Sequence, residues 1–102
     1  MLWGLFTMRD EQFEKYNNRV RYLTERNLKD ANLHYSDRFN YNIDHIFPIR
    51  KGYELGVPEQ LIASTDNLQI MHRTLNREKG SKITEVPDAI LEWFVQNDVY
   101  WK

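Results

Sequence analysis

Asp44-His45-Ile46-Phe47-Pro48, Asn67-Leu68-Gln69-Ile70 and Asn76-Arg77-Glu78-Lys79-Gly80-Ser81-Lys82 are the stretches on which the reading of this chain turns. The first belongs to a short strand, Tyr41–Ile46, in which Ile43 and Ile46 flank a polar pair and Pro48 ends the run. The second opens another short strand, Leu68–Met71, after the turn-rich Ser64-Thr65-Asp66-Asn67. The third suits a short helix, Arg73–Lys79, that Gly80 terminates.

Outward from this centre the pattern becomes helical. Asp10 is a suitable N-cap for a long helix over about 10–30, with Phe13, Tyr16, Val20, Leu23 and Leu28 as its buried stripe. Arg19, Arg21, Arg26 and Lys29 alternate with Glu14 and Glu25 and read as a solvated face. Residues 32–42, His34 among them, read as loop. Gly52 and Gly56 mark a turn, and Pro58 opens a short helix through Ala63. A last helix over about 84–98 turns Ile90, Leu91, Phe94 and Val95 inward, and Tyr100 and Trp101 pack its end. Trp3, Trp93 and Trp101 read as packing residues. The fold class is therefore α+β: two antiparallel strands and a helix, flanked by a long N-terminal helix and a C-terminal helix. With 102 residues the chain is one domain.

Composition narrows the function. Aromatic residues make up 14% of the chain, which excludes a disordered polymer. The absence of cysteine excludes a disulfide scaffold, a cysteine zinc site and a thiol nucleophile. No apolar run approaches the ~18 residues a membrane span requires. The opening Met1–Phe6 is too short and uncharged for a secretory signal, so the expected location is cytoplasmic. The net charge is −1, but its distribution is uneven. Residues 84–102 hold four acidic side chains against one basic, whereas 73–82 hold Arg73, Arg77, Lys79 and Lys82 against Glu78 alone. A local basic face can thus contact phosphates on a nearly neutral protein.

The three central runs carry the chemistry. The Asp44 carboxylate and the Asn76 amide are hard oxygen donors, suited to Mg²⁺ with several waters retained. His45 beside them suits a general base near neutral pH. On a regular strand Asp44 and His45 would face opposite ways; Pro48 disturbs that regularity and lets both project toward one site.

In order and spacing, D-H-x-x-P, N-L-Q and N-x-x-K-G-x-K resemble the HNH nuclease family, the ββα-metal fold, over about residues 41–83. The resemblance implies that His45 is the general base, that Asp44 and Asn76 bind the metal and that Asn67 pins the loop between the strands. The nine-residue step from Asn67 to Asn76 is similar to the form that ends in asparagine, as in phage homing endonucleases. Many members carry structural zinc on paired cysteines; His72 and Leu75 stand at two of those places here, so no structural zinc is expected. His72 has two readings, a contact to phosphate or metal and a structural histidine. The stretch from His45 to Asn67 is long for the family. The expected activity is Mg²⁺-dependent hydrolysis of nucleic-acid phosphodiesters, DNA foremost, with Mn²⁺ able to substitute and 5′-phosphate ends left. Arg73, Arg77, Lys79 and Lys82 are the expected nucleic-acid contacts. The rival reading is a DNA-binding or phage packaging accessory module that uses the same fold without cutting. Beyond DNA, a second copy of the chain and a phage or bacterial protein stand as partners, in a bacterial or phage-infected cell.

Overall fold

In the computed structural model, which describes residues 10–31 and 37–101, a long helix α1 (Glu11–Asp30) comes first. The Asp10 carboxylate accepts from the Phe13 N–H at 3.0 Å, the capping bond that a helix N-terminus needs. Strand β1 (Tyr41–His45) follows, then α2 (Ile49–Leu55), α3 (Glu59–Ile62) and a 3₁₀ turn (Thr65–Asn67). Strand β2 (Leu68–His72) leads straight into α4 (Arg73–Lys79), and α5 (Asp88–Asn97) closes the chain. The strands pair antiparallel, with Tyr41 opposite His72, Ile43 opposite Ile70 and His45 opposite Leu68. The fold is α+β: β1, β2 and α4 form a strand–strand–helix unit between the long first helix and the last one. None of the described helices is long and apolar enough to cross a membrane.

The core joins α1, the segment between the strands and α5. Val20 and Leu23 of α1, Phe47 after β1, Val57, Ile62 and Ala63 of the connection, and Ile90 and Phe94 of α5 form one buried cluster. Phe47 and Phe94 meet edge to face with centroids 5.5 Å apart, and Trp101 stacks on Phe94. Burial of a large side chain such as Phe47 contributes about 1.5–3 kcal/mol, so the loop that follows His45 is among the best anchored segments. The Tyr16 hydroxyl donates to the Val57 carbonyl at 2.7 Å, and Asn27 donates to the Ala63 carbonyl at 2.9 Å. These bonds tie α1 to the segment between the strands.

Three expectations need correction. The Gly52 region is the helix α2, with Gly52 buried inside it. A Cβ there would stand 2.7 Å from Ile62 Cδ1 and 3.0 Å from the Tyr16 hydroxyl, so glycine serves close packing. Gly56, at φ 77°, is the left-handed cap that ends α2. Leu91 and Val95 do not face inward. They are 43% and 77% exposed and line an apolar groove with Tyr100 and Trp101, because α5 spends one narrow stripe, Ile90 and Phe94, on the core. Tyr100 does not pack the end of that helix either: it is 84% exposed, whereas Trp101 stacks on Phe94. Trp3 and His34 lie outside the described residues.

Candidate active site

The strand–strand–helix unit and α1 enclose an open cleft of about 300 Å³. Its lining includes Asp44 and His45 from the end of β1, Asn76 from α4, and Asn17 and Arg21 from α1. Three of the four central residues expected from sequence, Asp44, His45 and Asn76, therefore share one surface. Pro48 also lines the cleft, and the chain turns into α2 immediately after it.

Asn67 is held apart from that surface. It is 0% exposed, its Oδ1 accepts from the Phe47 N–H at 2.7 Å, and its Nδ2 donates to the carbonyls of Phe47 at 3.2 Å and Ile62 at 2.8 Å. Its own carbonyl accepts from the Ile46 N–H at 2.8 Å. Full burial keeps Asn67 from the cleft, and its bonds hold the loop that follows His45.

His45 presents Nε2 at 2.9 Å from the Thr24 hydroxyl of α1. Burial holds its pKa down to about 4, and the positive charge of Arg21 adds to that; Asp44 opposes the shift. The ring is thus neutral over the physiological range, the form a proton acceptor requires.

Asp44 is buried, at 6% exposure, and both its oxygens carry partners. Oδ1 accepts from Lys79 Nζ at 3.1 Å and Oδ2 from Gln69 Nε2 at 2.8 Å. Gln69 is the cross-strand partner of Asp44, so the sheet register itself sets this contact. Lys79 also donates to the His45 carbonyl at 3.3 Å. The expected phosphate contact from Lys79 is replaced by this internal ion pair, because the ammonium is almost wholly buried and a buried charge must be matched. Arg73, Arg77 and Lys82 are exposed, with the Arg73 guanidinium 4.6 Å from the centre of the Phe39 ring. His72 caps α4, its Nδ1 accepting from the Thr74 N–H at 3.2 Å, and its ring meets Tyr41 edge-on.

The donor set can accommodate a hard cation. A carboxylate offers about four acceptor positions, and Lys79 and Gln69 take two on Asp44. Asn76 supplies a neutral oxygen on the same lining. Among the described residues no three His, Asp or Glu side chains cluster, so a metal here would be held by Asp44, Asn76 and water. That arrangement suits Mg²⁺, which keeps most of its waters.

Among Asn17, Arg21, Thr24 and Gln69, the sequence reading passed over Asn17 and Thr24, took Arg21 for solvated surface and gave Gln69 no role of its own. The first three follow one helix face at steps of four and three residues, a signal that the surrounding charges on α1 masked. No protein-family model matches this chain, and neither a curated protein nor a solved structure matches it.

Proposed function

We propose that this chain is a metal-dependent endonuclease of the HNH type, acting on nucleic-acid phosphodiesters and on DNA foremost. The observation that carries the reading is that His45 lines one cleft with two hard oxygen donors, Asp44 and Asn76. His45 accepts a proton from the attacking water. Asn67 keeps the His45 backbone in place through Phe47. Arg21 lines the cleft and offers a guanidinium to the phosphate, while Arg73, Arg77 and Lys82 hold the flanking backbone. Lys79 and Gln69 orient Asp44. A divalent ion such as Mg²⁺ on Asp44 and Asn76 would neutralise charge on the phosphate and its leaving oxygen. Water attack and loss of the 3′-oxygen leave a 5′-phosphate.

Incubation with supercoiled plasmid tests this reading. Nicked circles are expected with Mg²⁺ or Mn²⁺ and none with EDTA. Asp44→Asn and Asn76→Ala are each expected to weaken metal binding in calorimetry and to suppress nicking. At position 44 asparagine keeps one acceptor oxygen, for Lys79, while its amide nitrogen meets the Gln69 amide, so the variant is compared well below its melting temperature. DNA binding without cutting under every metal would favour the binding-module reading.

Binding is expected to be weak and strongly salt-dependent. Four phosphate contacts, from Arg21, Arg73, Arg77 and Lys82, correspond to a slope of log affinity against log salt near −3.6. Lys82→Ala should flatten that slope by about 0.9. Lys79→Met should leave it unchanged and instead cost about 3–5 kcal/mol of stability, by stranding the buried Asp44 carboxylate. A flattened slope in the Lys79 variant would return Lys79 to the DNA surface.

A further inference from the structure

We propose that Thr24 is a positioning residue for His45, setting which ring nitrogen carries the proton; this rests on the nuclease reading. Thr24 lies on α1, outside the strand–strand–helix unit that supplies Asp44, His45 and Asn76. It is 4% exposed and sits among Val20, Leu23 and Leu28, the other buried residues of that helix. An aliphatic side chain would fill this position on packing grounds alone. A buried hydroxyl costs stability unless it is hydrogen-bonded, and Thr24 Oγ1 lies 2.9 Å from His45 Nε2.

The bond has two directions, and only one leaves a base. If the hydroxyl donates to Nε2, the neutral ring carries its proton on Nδ1 and has no lone pair left to accept another. If Nε2–H donates to the hydroxyl, Nδ1 keeps its lone pair for the cleft. The proton from water then passes to Nδ1, giving an imidazolium whose Nε2–H still donates to Thr24. The torsion about the imidazole bond is otherwise broad, so this contact also limits ring rotation. The helix that carries Thr24 is anchored on both sides of it, by Tyr16 to Val57 and by Asn27 to Ala63. The same helix places Asn17 and Arg21 in the cleft lining, so one rigid element orients the base and builds the opposite wall.

Thr24→Val removes the hydroxyl at nearly constant shape, and Thr24→Ser retains it. Plasmid nicking in Mg²⁺ should show kcat lower by about 10–100-fold in the valine variant, the range seen when the outer partner of a metal-ligating histidine is lost. KM should be unchanged, and serine should restore most of the rate. Ring ¹⁵N NMR of His45 at neutral pH should show the Nε2-protonated tautomer in wild type and serine variant, and a tautomer mixture with valine. If valine does not fold, Thr24→Ala provides the same two measurements. A valine or alanine variant that cuts at the wild-type rate overturns the proposal, as does an Nδ1-protonated ring in wild type. If wild type cuts nothing with any metal while the ring still responds to loss of the hydroxyl, the nuclease reading fails and the positioning contact stands.

Discussion

His45→Ala is expected to reduce nicking by about 10²–10⁴-fold, the contribution of a positioned general base. DNA affinity should change little, since the arginines and Lys82 proposed to hold the backbone are untouched. The fold should survive with a modest loss, about 1–2 kcal/mol for a hydroxyl at Thr24 deprived of its partner. Activity should therefore be compared well below the melting temperature of the variant. A near wild-type rate would remove His45 from the mechanism. The pH dependence provides a second check. Burial, aided by Arg21, lowers the folded-state pKa of His45 from 6.5 to about 4. The unfolded chain binds this proton more tightly than the native one, so the histidine contributes stability that is fully present above pH 6.5 and is lost as pH falls through about 4. The neutral base likewise persists, and the acid limb of the rate that belongs to His45 should lie near pH 4 rather than 6.5. The alanine variant should lose this share of the stability change between those two values.

Asn67→Ala should produce the largest loss of stability. Alanine leaves the Phe47 N–H, the Phe47 carbonyl and the Ile62 carbonyl without their side-chain partner, in a site with no access to water. Each unpaired buried group costs about 1–3 kcal/mol, so the sum after partial relaxation is about 3–5 kcal/mol. For a domain of this size that is a fall in melting temperature of about 15–25 °C. Nicking should fall as well, since Phe47 and the turn at Pro48 follow His45 directly. The effect should appear mainly in kcat. An unchanged melting temperature with total loss of activity would place Asn67 against the substrate instead of inside the loop.

Local chemistry made most elements legible. Asp10 at the head of α1, Gly80 at the end of α4 and the short strands around Asp44 and Leu68 all depend on neighbours within a few residues, so pattern alone located them. The α2 helix was not legible in that way. Gly52 ordinarily signals a turn, and only the approach of Ile62 and Tyr16 from elsewhere in the chain explains a glycine inside a helix. Leu91 and Val95 looked like core residues because periodicity shows which positions share a face, not how wide a stripe the neighbours will cover.

The same division holds at the site. Sequence by itself determined the residue types and order of Asp44, His45, Asn67 and Asn76, and hence the chemistry available. Tertiary structure decided the work of each: Asn67 inside the loop, Lys79 against Asp44 rather than at the surface, and Thr24 and Arg21 beside His45. Lys79 lies thirty-five residues from Asp44, and Thr24 lies twenty-one from His45. No local propensity encodes contacts at that separation. They form because the shared apolar core brings α1, the strand ends and the following loop to one place, and because a buried charge or hydroxyl there must find its partner.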